Sequence, residues 1–355
     1  MNNLPQVAVI GARGAIGEHV VAHLAATTRL RAASRQRPAT PHAHVEYQQL
    51  DLFDHCALRQ FCQGSQLIIN CAAPGSLIGD RVARVAEELC CDYLDPGGDD
   101  ALYGLLSNAR QSSQCFVVST GMLPGLSGLL LRSAFSAFEH LLEAKGYALS
   151  CEPFSYGGAA DFLASLDNGY GVAGVALRQG EMKICAGEAQ VQLPLAQFTA
   201  QAYPFMTSEW QRIGESHPTS DLTWYNLFAS EEMVQWLSHC PDRDPQAARA
   251  LVALSLQTFA GQQPQHVLAV EARGWHRGEI QQRACVIECA SGAQLTAAMT
   301  AYTALQMLQG ALPAGVHFAA DVLPPTQTLQ FLQQHLENFC WLELPALASD
   351  EEGAI

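Results

Sequence analysis

The chain has 355 residues, 49% of them hydrophobic and 15% charged, enough for a sizeable buried core and against a disordered chain. Acidic residues outnumber basic ones 34 to 19, and the resulting charge of −15 repels nucleic acid and anionic membrane surfaces, so neither is an expected partner. No apolar run reaches the about 18 residues that span a bilayer, and no basic, apolar leader opens the chain, so a cytoplasmic location is expected.

Residues 7–10 are apolar and β-favouring, and they run into Gly11-Ala12-Arg13-Gly14-Ala15-Ile16-Gly17. Val20, Val21, Leu24 and Ala25 then recur at helical spacing. The pattern is strand, glycine turn, helix. Such a turn leaves backbone N–H groups at a helix N-terminus, where the peptide dipoles favour an anion. Gly11 suits backbone angles closed to other residues, Gly14 admits a pyrophosphate, and Gly17 permits close packing of helix on strand. Gly11, Arg13, Gly14, Ala15 and Ile16 are the expected contacts of a dinucleotide.

The second strand ends in Ser34-Arg35-Gln36-Arg37. In a dinucleotide fold this point meets the adenosine ribose, where an acid selects NAD and arginine accommodates the 2′-phosphate of NADP. Here Arg35 and Arg37 stand with Ser34 and no acid, and the guanidinium fork suits a phosphate. NADP(H) is therefore the expected cofactor.

Residues 45–52 read as a third strand with Asp51 at its end, facing the adenine, and a helix follows over 54–62 with Asp54 as its cap. Residues 67–71 are a buried strand running into Ala72-Ala73-Pro74-Gly75, where Cys71, Ala72, Ala73 and Pro74 let the backbone lie against the cofactor. A helix over 79–89, a fifth strand over 91–95 and a sixth over 115–119 complete the alternation. The fold class is α/β, a Rossmann-type doubly wound parallel sheet, which binds its ligand beyond the carboxyl ends of the strands.

Past Gly121 the pattern changes. Residues 126–142 read as one long helix. Strand-like runs follow over 148–156, 181–193, 267–274 and 279–289, the last two forming a hairpin. Helices are expected over 159–166, 230–238 and 245–259, then over 295–309 and 326–336, with an acidic, frayed tail from Ser349. We therefore divide the chain into a cofactor domain, 1–125 completed by helices over 293–345, and a mixed α+β substrate and dimerisation domain over 126–292. The twelve cysteines include no C-x-x-C pair and are expected as buried, reduced thiols, with no metal site.

Together, Gly11 to Gly17, Ala33-Ser34-Arg35, Asn70 to Pro74, Tyr93-Leu94-Asp95, Thr120 to Leu126 and Tyr156-Gly157-Gly158 resemble the saccharopine-dehydrogenase-like NADP oxidoreductases. The resemblance adds Asp95, Gly97, Gly121 and Met122 to the cofactor contacts. It implies hydride transfer between NADPH and a C=N bond of a small molecule, and a homodimer built on the second domain. In true saccharopine reductases two acidic residues follow the sixth strand, where this chain has Leu123 and Ser127. A middle-domain Asn-Pro-Leu-Gly-Tyr stretch followed by Trp is here Asp167-Asn168-Gly169-Tyr170. A less charged substrate, such as a ring imine, fits these departures.

Imine reduction needs a proton on nitrogen. Tyr156, read at a strand end, Asp161, read near a helix start, and Tyr170, in a glycine-rich loop, are the candidate catalytic groups, with His217 and His276 as weaker proton carriers. No Ser-His-Asp or H-E-x-x-H arrangement is visible along the sequence. A Tyr-x-x-x-Lys carbonyl reductase is disfavoured, because neither Lys145 nor Lys183 has a tyrosine four residues earlier. The alternative reading is a non-catalytic NADP-binding redox sensor or regulator on the same sheet.

Overall fold

A computed structural model of the chain describes residues 4–37, 41–98, 100–109, 113–166, 170–240 and 243–347. The chain splits into two compact units: Met1–Leu126 with Ala160–Ala164 and Ala293–Leu336, and Ser127–Ala159 with Ser165–Gly292 and Glu337–Ile355. In chain order the first unit contributes β1 (Gln6–Ile10), β2 (Arg29–Ser34), β3 (Glu46–Gln49), β4 (Leu67–Asn70), β5 (Asp92–Leu94) and β6 (Cys115–Val118). The second contributes β7 (His140–Cys151), β8 (Gly171–Ala173), β9 (Val175–Arg178), β10 (Glu181–Ile184), β11 (Glu188–Val191) and β12 (Ala200–Thr207). It continues with β13 (Asp221–Phe228), β14 (Gln265–His276) and β15 (Glu279–Cys289). Next come β16 (Gly315–Phe318), back in the first unit, and β17 (Cys340–Leu344) in the second.

The first unit is a seven-stranded parallel sheet of order β16-β6-β5-β4-β1-β2-β3. Its central strands are apolar without alternation: Val7, Ala8, Val9, Leu67, Ile68 and Ile69 are all fully buried. That is the composition required of strands covered on both faces. The order reverses between β1 and β4, the switch point at which such sheets bind ligands. The sheet is thus the doubly wound Rossmann type, with a seventh strand, β16, that Gly315 and His317 concealed from periodicity.

The second unit is a mixed sheet of order β10-β9-β13-β7-β14-β15-β17, with β12 added beside β13. Here β7 runs parallel to β13 and antiparallel to β14. The β14–β15 hairpin turns on Arg277 and Gly278, at φ 53° and 80°, the pair of positive angles that a two-residue turn needs.

Several elements differ from the sequence reading. The helix expected over 126–142 ends at Ala137, because Leu141 and Leu142 belong to β7, whose pairing on both edges outweighs helix propensity. The strand expected over 181–193 breaks into β10 and β11, where Gly187 packs so close that a Cβ would lie 2.7 Å from the Ala202 carbonyl. The helix expected over 79–89 is found as Arg81–Glu88, and a short helix that was not expected, Gly75–Ile78, precedes it and ends at Gly79 with φ 57°. The 337–345 stretch contains a strand, β17, on the second sheet rather than a helix of the first unit. Strands β12 and β13 and the helix Ser208–Glu215 between them carried no sequence signal that we read. The tail from Ser349, and Asn168 and Gly169, lie outside the described residues. Cys56 and Cys90 are exposed, unlike the buried Cys62, Cys71, Cys91, Cys115, Cys151 and Cys289.

Candidate dinucleotide and active site

Five turns, after β1, β2, β4, β5 and β6, lie at the carboxyl ends of the parallel strands of the first sheet. After β1, Gly11 adopts φ 77° and lies against the next turn so closely that a Cβ would meet Ala72 N at 2.5 Å. A Cβ on Gly17 would lie 2.3 Å from the Gly11 carbonyl. Both positions therefore require glycine. Gly14, Arg13 and Ala15 are exposed, and Ile16 is half-buried as the residue preceding the helix Gly17–Leu24. Among the described residues no backbone carbonyl accepts from the N–H groups of Ala15, Ile16 or Gly17. Unclaimed N–H groups at a helix start, beside a glycine that leaves space, fit the pyrophosphate of a dinucleotide.

The turn after β2 lies beside it, since Ala12 N–H donates to Ala33 O at 3.0 Å. Arg13 donates through Nη1 to Gln36 Oε1, and Ser34 Oγ donates to the Gln36 carbonyl. Arg35 and Arg37 are exposed. The acids of the neighbouring strand and its turn are engaged elsewhere: Glu46 pairs with Arg31 at 3.6 Å, and Asp51 Oδ1 accepts from Phe53 N at 3.0 Å. The structure thus places Arg13, Ser34, Arg35 and Arg37 around one turn, while exposed Asp51 serves as a local turn acceptor.

The turn after β4 carries Cys71, Ala72, Ala73 and Pro74. Cys71 N–H donates to Ile10 O at 2.8 Å, which locks this turn to the glycine loop. Its thiol is buried, and burial pushes its ionisation far above the ordinary range, so Cys71 offers backbone rather than a nucleophile. Beyond it, Gly75 N–H donates to Asp161 Oδ1 at 2.7 Å. Burial, reinforced by the Asp95 charge, raises the Asp161 carboxyl to about 6 against the lowering effect of that hydrogen bond. Asp161 sits in the second turn of the helix Tyr156–Ser165, not near its start, so dipole compensation does not explain it.

The turn after β5 is organised by Asp95, which is 7% exposed. Its Oδ2 accepts from Tyr93 Oη at 2.6 Å and Asn70 Nδ2 at 2.9 Å, and its Oδ1 accepts from Gly97 N at 2.9 Å. Tyr93 is held neutral, its ionisation pushed well up by burial and by the Asp95 charge. After β6, Gly121 N–H donates to Pro124 O at 3.1 Å, and Met122 N–H donates to Thr296 Oγ1 at 3.2 Å on the helix Gly292–Leu308. Ser119 precedes them at φ 60°, a left-handed angle on a non-glycine residue beside the crevice. Sequence reasoning missed Asn70, Tyr93, Gln36 and Thr296. Asn70 and Tyr93 stood in the stretches that carry the resemblance, and Gln36 between the two arginines, but none was assigned a role.

The remaining candidates belong to the second unit. Tyr156 was read at a strand end, but β7 stops at Cys151, before Pro153, which has no N–H for a ladder. Tyr156 instead opens the helix Tyr156–Ser165, 43% exposed, with the Arg249 guanidinium 6.0 Å from its ring centroid. Five residues along a helix is about 500° of rotation, so Tyr156 and Asp161 occupy different faces. Tyr170 is half-buried before β8, its carbonyl accepting from Ser208 N at 2.8 Å. His217 stacks on Phe135 at 3.7 Å, and His276 ends β14 at the hairpin turn. Of the three catalytic candidates, Asp161 belongs to the first unit, where it accepts from Gly75 N, and Tyr156 and Tyr170 belong to the second.

The model of the NAD-dependent epimerase/dehydratase family matches residues 7–89. A probable mitochondrial saccharopine dehydrogenase-like oxidoreductase from Arabidopsis thaliana is 36% identical over 63 residues, 18% of this chain and 14% of that protein. The match thus spans well under two thirds of that relative. Among solved structures, apo saccharopine dehydrogenase (L-Glu forming) from Saccharomyces cerevisiae superposes with a TM-score of 0.69 at 14% identity, over 95% of this chain and 100% of that one. DAP dehydrogenase of C. glutamicum in complex with DAP gives 0.51 at 16% identity, over 94% and 99%. An engineered D-amino acid dehydrogenase bound to NADP+ gives 0.51 at 15% identity, over 94% and 99%. At these identities the structural likeness speaks to the fold. The chain is similar to the saccharopine dehydrogenase-like oxidoreductases, in sequence over a short stretch and in fold along nearly its whole length.

Proposed function

We infer that this protein is an NADP(H)-dependent oxidoreductase that reduces a C=N bond of a small, weakly charged imine to an amine. One observation carries the reading: the turn after β1 is hydrogen-bonded to β2 through Ala12 and to the β2 turn through Arg13 and Gln36, the β4 turn is bonded to the end of β1 through Cys71, and that β4 turn holds a carboxyl whose ionisation is raised to about 6. Bound NADPH supplies the hydride. The N–H groups of Ala15, Ile16 and Gly17 hold its pyrophosphate, Arg13, Ser34, Arg35 and Arg37 its 2′-phosphate, and the backbone of residues 71–74 its ribose and nicotinamide end. Gly97, Gly121 and Met122 line the far side. Asp95, saturated by donors, positions the crevice rather than moving a proton. Asp161 holds and delivers the proton that the imine nitrogen takes up. Its raised ionisation keeps a fraction of it protonated near neutral pH, where a general acid works best. A homodimer and a cytoplasmic location belong to the same reading; no helix among the described residues is long and apolar enough to cross a membrane.

Titration calorimetry with NADPH and NADH tests the cofactor half, and NADPH consumption with cyclic imines against saccharopine precursors tests the substrate half. Equal affinity for the two cofactors, or none, overturns the first. Turnover of saccharopine precursors but not of cyclic imines overturns the second, and tight NADPH binding without turnover of any imine assigns the chain to the non-catalytic sensors.

A further inference from the structure

In the second unit, Ser150 and His266 are directly opposed partners of β7 and β14, so their side chains share a face. Glu152 is the first residue after β7, and its carboxylate reaches the same histidine. The three side chains meet in a line: Ser150 Oγ lies 2.9 Å from His266 Nδ1, and His266 Nε2 lies 2.7 Å from Glu152 Oε2. His266 is buried, 6% exposed, while Ser150 faces solvent. Glu152 is fixed further by Ser291 Oγ and Gly292 N–H, each at 3.3 Å.

Glu152 accepts at Oε2, and the tautomer of His266 that donates to it carries its hydrogen on Nε2. Nδ1 is then the lone-pair side of the ring, and the Ser150 hydroxyl donates to it. This is the order of a nucleophile, its base and the group that orients the base. We propose that Ser150, His266 and Glu152, all residues of the second unit, form a nucleophilic acyl-transfer site that takes the acyl group of activated donors such as aryl esters or thioesters.

In the forward step the Ser150 O–H proton passes to His266 Nδ1 while Oγ bonds to the acyl carbon. The bond from that carbon to the leaving group then breaks, and Nδ1 returns the proton to the leaving group. Water reverses the sequence, giving a carboxylic acid and free Ser150. Because Ser150 is exposed, water stabilises the developing oxyanion, which restricts reaction to donors with good leaving groups.

The test is labelling of the full-length chain with an alkyl fluorophosphonate, from which Ser150 displaces fluoride, read by intact mass and peptide mapping. One adduct at Ser150 is expected, absent in Ser150→Ala and formed about 100-fold more slowly in His266→Gln, which keeps a donor for Glu152 but has no base. No adduct at Ser150, or an equal rate in a folded His266→Gln, overturns the proposal. Should that variant fail to fold, Ser150→Cys is alkylated with iodoacetamide, with exposed Cys56 and Cys90 as internal standards. A rate at least tenfold above theirs supports the site; a rate equal to theirs overturns it.

Discussion

Replacement of Asp161 by Asn separates the cost of this carboxyl from its use. In the unfolded chain the group ionises near 3.8, and in the folded chain at about 6, with burial as the main cause. Between those values the native state binds more protons than the unfolded one, so stability falls as pH rises through that window. Above pH 6 the loss is complete. The difference between 3.8 and about 6 corresponds to about 3 kcal/mol, at about 1.4 kcal/mol per tenfold. Asp161→Asn keeps the shape and an Oδ1 acceptor for the Gly75 N–H but cannot ionise. The variant should be more stable than the parent by about 1–3 kcal/mol at pH 7.5, and the gain should shrink to about 0.5 kcal/mol at pH 4. Urea unfolding at pH 4, 5.5 and 7.5 measures this directly. A variant less stable at pH 7.5, or a gain that does not change with pH, refutes the account. In imine reduction the same variant should lose about 100-fold in kcat while binding NADPH unchanged, as expected for a lost general acid.

Gly11→Ala places a Cβ 2.5 Å from Ala72 N at φ 77°, and should destabilise by about 2 kcal/mol or more and abolish NADPH binding, read by thermal melts and calorimetry. Arg35→Ser with Arg37→Ser removes charge-assisted bonds to a 2′-phosphate, each about 1.5–3 kcal/mol, so Kd for NADPH should rise at least tenfold while that for NADH stays unchanged. Tyr93→Phe deletes the 2.6 Å hydrogen bond to buried Asp95 and should cost about 1–3 kcal/mol in urea unfolding. Gly146→Ala drives a Cβ to within 2.3 Å of the Trp224 ring and 2.6 Å of Trp210, and should destabilise the second unit by about 1–3 kcal/mol, seen as a lower midpoint by tryptophan fluorescence.

The first sheet was legible because its information is local. Each parallel strand is a continuous apolar run, and each turn at the carboxyl edge carries its own glycine, proline or arginine signature, so periodicity and turn chemistry agree. β16 escaped because Gly315 and His317 interrupt the run, and pairing with β6 supplies what propensity does not. The second sheet is the opposite case. β7 joins β13 in parallel and β14 in antiparallel register across long separations, and Pro204 within β12 reads against a strand. A helix-like opening could not be distinguished from the first half of β7 without those partners.

The same division explains which chemistry could be read. The proposed cofactor contacts recur turn by turn along one edge, so each could be proposed from a few consecutive residues. A proton-transfer group is defined by what surrounds it, and its surroundings come from elsewhere in the chain. Asp161 belongs to a five-residue segment, Ala160–Ala164, that groups with the first unit although the chain on either side of it groups with the second. Without that placement it is one acid in a helix; beside Gly75 and under the charge of Asp95 it becomes a carboxyl tuned toward neutral pH. Ser150 and Glu152 are likewise two polar residues at a strand end until β14 sets His266 between them, more than a hundred residues later. Where reactivity depends on desolvation and on a partner distant in sequence, topology supplies both at once, and residue types along the chain supply neither.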